Sequence, residues 1–511
     1  MQTLAMKQTH KSFTQRCIDI TGSQKFFWGV IALLVLQASW IALSGRYPMA
    51  FDEDFHIGII TLYAHHLSPV WSSQPDGANM FGAIARDPSY LYHYLMSFPY
   101  RLIGVFTDNQ TIQVLILRFL NIGLFATGLG LYRQLLLKTG VAKSLVHLSL
   151  LVLVLLPVVP LLAAQVNYDN LFLPLTALAM LLTVSFDKTL SKGRFDLKVF
   201  LQLLIVCMAN SLVKYAFLPI FVATIGFVVV RIWLRYRSLT KLWSGVVASW
   251  KRLVGWSRVG LVLGFVVLFG LCLERYGVNL IRYHTPVPDC SKVLTVEQCS
   301  EYGPWIRDYT LKINKVEASH SPITFTHEWF YGMWLRTFFA VDGPATGFQT
   351  RGPLVVPGLS AIMFGVASGV AFLLALPRLL KRYDRVVIAL FFTVTVIFIG
   401  LLWLDEFEAF VRTGKPVAIN GRYLLPVMPL LLLMAVASWN ELLGRLRIVK
   451  LVLAATAILC LLWGGGALTY ILRSNDSWYW PGSFTRQANH AIQNTLGPIT
   501  PGYDQNTQFL H

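Results

Sequence analysis

Three carboxylates and a histidine follow directly on the first membrane-length apolar stretch of the chain: Asp52, Glu53, Asp54 and His56. Adjacent carboxylates repel one another, and each loses hydration close to a membrane. Crowding of this kind raises the proton affinity of one carboxylate towards that of a general base, which could deprotonate an acceptor hydroxyl. In a helix that begins here, Asp52 and His56 share one face and Glu53 points away. The alternative is a solvated helix start, whose acids complement the helix dipole.

Basic residues near the ends of three later apolar stretches could bind a phosphate. Arg118, Lys214 and Arg422 lie where the loop-charge rule does not require a cation. Fixed cations in a site of low dielectric stabilise the charge of a departing phosphate, and a guanidinium matches phosphate geometry. Tyr423 could add a hydroxyl contact. The alternatives are that the three basic side chains extend to the membrane surface and that Tyr423 belongs to the aromatic belt there.

Further polar residues have two interpretations each. Asp169 opens an apolar stretch, and it is either a helix cap or a second active-site carboxylate. Asp87 precedes a proline and either forms a turn or contacts an acceptor. Glu406 and its acidic neighbours Asp405 and Glu408 are either catalysts or, as we expect, solvated loop acids. His93 is expected at the membrane interface and not as a ligand.

The elements that must position these residues are membrane helices. The 511 residues are 55% hydrophobic and only 13% charged, with a mean hydropathy of +0.57, which excludes a soluble globular protein. A span needs roughly 20 apolar residues. That criterion predicts an all-α polytopic membrane protein with about eleven spans, near residues 26–45, 111–132, 144–164, 168–186, 198–213, 215–231, 259–273, 354–376, 386–404, 423–440 and 450–471.

The distribution of charge predicts the orientation. The net charge of +18 does not indicate nucleic-acid binding, because the basic residues are concentrated in alternate connecting segments, such as 133–143 and 188–198. This asymmetry places the N-terminus in the cytoplasm and Asp52 on the outer face. The basic segment 232–258 is expected to form a helix along the inner surface.

Three outer segments are long enough to contribute to function. The first, 46–110, is expected to contain amphipathic interfacial helices, and the last is a tail at 474–511 that follows a membrane module of residues 1–473. The largest, 274–352, contains Cys290 and Cys299, which would form a disulfide in an oxidising compartment.

Several of these segments resemble motifs of the GT-C superfamily of integral-membrane glycosyltransferases. Phe51-Asp52-Glu53-x-x-His56-x-Gly58 is similar to the first-loop motif of protein O-mannosyltransferases, with one residue inserted, and the chain also looks like the aminoarabinose transferases. Cys299-x-x-Tyr302-Gly303-Pro304-Trp305 and Gly421-Arg422-Tyr423-Leu424-Leu425-Pro426 resemble a bacterial branch of that superfamily, which would have Gln in place of Asn420. Asn167-Tyr168-Asp169 and Lys214-Tyr215 are weaker matches.

The resemblance implies a GT-C-type fold and an inverting transferase in the bacterial inner membrane. Its donor would be a polyprenyl-phosphate-linked sugar, and its acceptor a glycan, lipid or protein on the outer face. Asp52 would be the base with Glu53 as its neighbouring acid, while the inserted residue makes Asp54 a competitor. Some members need a divalent metal ion and others do not, so this point stays open. The competing hypotheses are a transporter or flippase that uses the acids as a proton or cation site, and a non-catalytic assembly subunit.

Overall fold

The computed structural model describes residues 12–50, 52–315, 321–341, 343 and 350–503. Phe51, the first residue of the acidic motif, lies outside these ranges. The described residues form one short antiparallel strand pair, β1 (Ala340–Val341) and β2 (Thr350–Arg351), in which Ala340 is opposite Arg351. Everything else of regular structure in these ranges is helical: α1 (Phe13–Thr21), α2 (Gln24–Ser44), α3 (Glu53–Ala64), α4 (Leu91–Gly104), α5 (Gln110–Leu137), α6 (Lys143–Val154), α7 (Val158–Ala164), α8 (Asp169–Ser191), α9 (Leu197–Val213), α10 (Leu218–Tyr236), α11 (Leu239–Arg252), α12 (Gly255–Cys272), α13 (Val278–Tyr283), α14 (Cys290–Val293), α15 (Val296–Ser300), α16 (Gly303–Ile313), α17 (Pro322–Phe338), α18 (Val355–Arg382), α19 (Arg385–Thr413), α20 (Met428–Leu442), α21 (Arg447–Leu462), α22 (Ala467–Arg473) and α23 (Phe484–Leu496), with short 3₁₀ or π turns between some of them.

The prediction of an all-α integral membrane protein is confirmed. Within the described ranges, eight helical segments are long and apolar enough to cross a bilayer: α2, α5, α8, Tyr215–Tyr236, Gly255–Tyr283, α18, α19 and Arg447–Arg473. Helices α6 and α7 meet at a bend of 72° and together could make a ninth span. Helices α9 and α20 are apolar but shorter, with 17 and 15 residues. These segments coincide with the eleven stretches in the sequence, and the number of crossings stays a prediction.

Local sequence explains where several of these helices begin. The Ser23 hydroxyl accepts a hydrogen bond from the Phe26 amide at 3.1 Å and caps α2. The Asp384 carboxylate caps α19 in the same way, by accepting from the amides of Val386 and Val387. These side chains satisfy amide groups that the first turn of a helix leaves without a partner.

Two helical segments extend furthest beyond the apolar stretches that predicted them, by ten and nine residues at their C-terminal ends. The seventh stretch was expected to end at 273, but helical structure continues through a π turn (Leu273–Gly277) to Tyr283. Helix α19 runs to Thr413, so Glu406 lies inside a helix and not in a solvated loop. Glu406 is buried and accepts a hydrogen bond from the Trp329 indole, which corrects the expectation for this acid.

The described parts of the three long connecting segments contact one another at the end of the bundle where Asp52 lies, here called the Asp52 end. The first segment contains two helices, α3 and α4, and their position at the membrane interface stays a prediction. The predicted disulfide between Cys290 and Cys299 is present, and these cysteines pack with Trp305 against Ala83 of the first segment. The last segment folds back on α2, where the Trp40 indole donates to the Asn489 side chain at 2.8 Å. Segment 232–258 contains a helix, α11, as predicted.

Candidate functional site

Asp52 forms an ion pair with Arg422. Asp52 directly precedes α3, whose first turn contains the acids Glu53 and Asp54. Arg422 lies 370 residues later, in the 3₁₀ turn Gly421–Leu424, and its guanidinium contacts the Asp52 carboxylate. The Arg422 side chain is 9% exposed, whereas that of Asp52 is 41% exposed. Asp52 is therefore the accessible member of the pair.

Gly421 explains how Arg422 comes so close to the other elements. The turn at 421–424 packs against α17, and a Cβ atom at Gly421 would collide with the Thr337 side chain and the Met333 carbonyl oxygen. The Asn420 side chain accepts a hydrogen bond from the Arg422 amide at 3.1 Å and fixes the start of the turn. A residue without a side chain is thus needed for this close approach.

A second ion pair joins Lys214 and Asp169. Lys214 follows the last residue of α9, and its Nζ atom lies 2.6 Å from Oδ1 of Asp169, the first residue of α8. The two side chains are 8% and 6% exposed. Asp169 does not cap its helix, because the Asn167 side chain accepts from the Asp169 amide at 2.9 Å instead. Asp169 is therefore the partner of a cation and not a helix cap, and its role as a second active-site carboxylate stays a prediction.

Tyr423 connects the two ion pairs, and Tyr168 lies beside Lys214. The Lys214 Nζ atom lies 4.5 Å from the centre of the Tyr168 ring and 5.3 Å from that of Tyr423. The Cζ atom of Arg422 lies 5.4 Å from the centre of the same Tyr423 ring. A ring beneath a cation stabilises it through the negative face of the π system. We refer to Asp52, Asp169, Lys214 and Arg422, with Tyr168 and Tyr423, as the ion-pair cluster.

Glu53 and Arg118 bind each other. The sequence predicted Glu53 at the reacting centre and Arg118 at a phosphate. The two Glu53 oxygens accept from Arg118 Nε at 2.8 Å and from another guanidinium nitrogen, Nη2, at 2.7 Å, and both side chains are 0% exposed. Arg118 also donates to the carbonyl oxygens of Ala42 and Gly45. Each Arg118 nitrogen and each Glu53 oxygen thus has a partner within the protein. The effect of the pair is to fix the end of α2 relative to the start of α3, which positions Asp52.

His56 pairs with His93, which the sequence did not identify as a site residue. Their Nδ1 and Nε2 atoms are 2.9 Å apart, and both side chains are buried. His93 Nδ1 lies 3.1 Å from the Ser89 carbonyl oxygen, which can only accept, so Nδ1 bears the proton. His93 Nε2 then accepts from His56 Nδ1, and His56 Nε2 becomes an acceptor. That atom has no hydrogen-bond partner among the described residues.

Burial keeps this histidine pair neutral. It lowers the pKa of His93 to about 3, although the Ser89 carbonyl oxygen partly opposes the shift. The pKa of His56 is also well below its usual range, first through burial and then through His93 and the cations Arg422 and Lys214. The His56 ring lies 4.5 Å from that of Tyr168, so the pair borders the ion-pair cluster.

Asp54 and Asp87 do not join the cluster. Asp54 is exposed and accepts a hydrogen bond from the Phe55 amide at 2.9 Å. Asp87 forms a turn by accepting from the Ser89 amide at 2.8 Å, and burial raises its pKa. Asp52 and Asp54, which the sequence left as competing bases, thus differ: only Asp52 contacts a cation of the cluster.

Comparison with known proteins does not assign a function to this cluster. No known family model matches the chain. No curated protein matches its sequence either. The likeness to GT-C enzymes therefore stays a prediction.

The described residues contain no group of three or more His, Cys, Asp and Glu side chains that could hold a metal ion. Each cluster carboxylate contacts a cationic side chain instead, Asp52 with Arg422 and Asp169 with Lys214. Chemically, the cluster offers two cations beside one accessible carboxylate. That combination can bind a phosphate group and accept a proton close to it.

Proposed function

We propose that the protein is an inverting glycosyltransferase that takes a sugar from a polyprenyl-phosphate-linked donor. The acceptor would be a hydroxyl group of a glycan, lipid or protein at the Asp52 end of the bundle. The observation that supports this most is the meeting of Asp52, Lys214 and Arg422, which come from three distant parts of the chain. The charge asymmetry of the loops supports an outer-face site in a bacterial inner membrane.

The cations would stabilise the leaving group. When the acceptor oxygen attacks the anomeric carbon, the bond from that carbon to the phosphate oxygen breaks, and the lipid phosphate leaves with the electron pair. Lys214 and Arg422, both nearly buried, would bind the resulting charge where water screens it little. Such preorganised electrostatic stabilisation is usually the largest single contribution to catalysis.

Asp52 would accept the proton of the attacking hydroxyl. Because Arg422 contacts Asp52, a phosphate bound by Arg422 would lie next to this carboxylate. The phosphate would compete with Asp52 for the guanidinium and so release the carboxylate towards the acceptor. His56 Nε2, an acceptor at the border of the cluster, could bind a sugar hydroxyl. Asp169 would keep Lys214 charged and oriented.

Replacement of the base tests this proposal. Asp52→Asn keeps the size of the side chain and removes its charge, so sugar transfer should fall by about 10²–10⁴-fold. The purified protein would be assayed for release of the polyprenyl phosphate and for glycosylation of the acceptor by mass spectrometry. Asp54→Asn is the matched control, because it removes an exposed carboxylate two residues away. Equal transfer by wild type and Asp52→Asn would show that Asp52 is not the base.

A transporter or flippase of a lipid-linked or small solute is the second candidate. Helices interrupted near a binding site are typical of transporters, and two breaks occur here: the bend between α6 and α7, and the break at Lys214. Flux of a fluorescent polyprenyl-phosphate sugar across vesicles that contain the protein, without any transfer product, would support this candidate. Glycosylated product without flux would support the transferase.

A further inference from the structure

A cavity of about 700 Å³ lies in the first long segment, beyond the end of α3 that is farther from Asp52. It is largely open to solvent, so it is a surface cleft, and its volume falls within the usual range for ligand sites. The residues that line it include aromatic, amide and charged side chains: His66, Trp71, Gln74, Asp76, Arg86 and Glu274. Nothing in the proposed transfer step uses them.

An aromatic pair forms one side of this cavity. The rings of His66 and Trp71 stack with their centres 3.8 Å apart and an interplanar angle of 14°. Trp71 also packs against Tyr63, which is buried at the end of α3. The aromatic surface is thus anchored to the same helix that begins beside Asp52. Rigid aromatic faces pack well against the C–H faces of sugar rings, whose hydrogens carry a small positive charge.

The polar side chains suit hydroxyl groups. The Gln74 amide bonds to the Gly82 carbonyl oxygen and the Ala85 amide, which holds this wall of the cavity in place. Glu274 pairs with Arg86 at 2.9 Å, with exposed fractions of 29% and 11%. A carboxylate accepts and a guanidinium donates, so the pair can bind hydroxyl groups in both directions.

The charge of the lining decides between ligand classes. Asp76 is exposed, and Glu274 pairs with both Arg86 and the buried Arg275, so the charges in and beside the lining balance. A lining without excess positive charge has no surplus cation to bind polymers with repeated phosphate, sulfate or carboxylate groups. The aromatic pair together with hydroxyl-binding groups favours an uncharged saccharide over a peptide, whose backbone would need strand-like partners.

We propose that this cavity is a distal subsite for an uncharged oligosaccharide acceptor. Asp52 and His66 lie at opposite ends of α3, roughly 20 Å apart at the helical rise of 1.5 Å per residue. A single sugar cannot reach both, so the acceptor would be a chain of several sugars. This inference rests on the proposed transferase function and specifies its acceptor.

Binding tests the subsite without any transfer reaction. The full-length protein in nanodiscs would be titrated calorimetrically with uncharged tetrasaccharides of glucose, N-acetylglucosamine or mannose. We expect binding of at least one of them, and a Kd at least about tenfold weaker in Trp71→Ala. Trp243→Ala on α11 is the matched control, since it removes a tryptophan that is 69% exposed and does not line the cavity. Ser73→Trp, at an exposed position of the lining, should block binding without removing a wall contact.

Other outcomes would overturn the subsite. These are no binding of any uncharged tetrasaccharide, equal binding by wild type and Trp71→Ala, or preferential binding of a sulfated tetrasaccharide or an extended peptide. In the transfer assay, Trp71→Ala should raise KM for a long acceptor, leave kcat unchanged, and leave a monosaccharide acceptor unaffected. Saccharide binding with no transfer by the wild type would count against the proposed function and not against the subsite.

Discussion

Variants of Lys214 and Asp169 can separate the structural role of this ion pair from the catalytic role proposed for Lys214. The two side chains lie 2.6 Å apart and are less than a tenth exposed, so removal of either charge leaves the other buried without its partner. We consider three variants: Lys214→Met, Asp169→Leu, and the double variant. Each replacement is apolar and of similar size, which limits the effect to the charges.

The expected stabilities follow from desolvation. Breaking a buried pair by removing one partner costs about 3–5 kcal/mol, because an uncompensated charge remains. Replacing both partners with apolar groups is often neutral, so the double variant should lie within about 1–2 kcal/mol of the wild type. The rate of sugar transfer should not recover with the stability. Without the Lys214 cation, transfer should fall by about 10²–10³-fold in the double variant even though its stability returns.

The assay combines thermal unfolding in detergent with single-turnover sugar transfer. Single variants that melt at the wild-type temperature would show that the pair is not buried as described. A double variant that is stable and transfers sugar at the wild-type rate would show that Lys214 does not bind the leaving phosphate. The combination of recovered stability with lost transfer is expected only if Lys214 acts on the substrate.

Two further predictions concern the residues that support Asp52. Glu53→Gln should lower the free energy of unfolding by about 3–5 kcal/mol, because Arg118 is fully buried and loses its counter-charge. The control is Glu297→Gln, which changes an exposed carboxylate and should have no such effect in the same unfolding measurement. The His93 pKa of about 3 in the folded protein lies below the value of about 6.5 in the unfolded chain, so stability is full above pH 6.5 and declines as the pH falls towards 3. At pH 5 the loss from this residue should be about 2 kcal/mol, and melting curves between pH 8 and pH 5 should show a smaller decline for His93→Asn than for the wild type.

The residue types at the candidate site were evident from the sequence, but most of their partners were not. Asp52, Asp169, Lys214 and Arg422 stand out because a charged residue at the end of an apolar stretch is costly and therefore conspicuous. The contacts bring Asp52, Lys214 and Arg422 together. No local pattern, however, relates Arg422 to a carboxylate 370 residues away.

His93 shows why burial was difficult to predict. It lies in Tyr92-His93-Tyr94, a composition that suits a membrane interface, and the expected position was interfacial. In the structure His93 turns inward to His56 and is 1% exposed. The available signal was its place on an amphipathic helix, but which face of that helix meets α3 depends on the packing of the two helices.

Glu53 and Arg118 also show that the sequence does not reveal which charged residues contact each other. The sequence marks both as ionisable groups near membrane depth, which fits catalysis, phosphate binding or mutual neutralisation equally well. Only the packing of α5 against α2 brings the guanidinium between Glu53 and the carbonyl oxygens of Ala42 and Gly45.

The sequence by itself determined that the chain is a helical membrane protein, and it marked the charged residues at the ends of its apolar stretches. Hydrophobic length and helix capping are local properties, so they can be read residue by residue. The tertiary structure alone decided which charges neutralise each other and which remain accessible, with Glu53 enclosed by Arg118 and Asp52 left 41% exposed. Pairing and burial depend on contacts between distant helices, and the free energy of a charge depends on both.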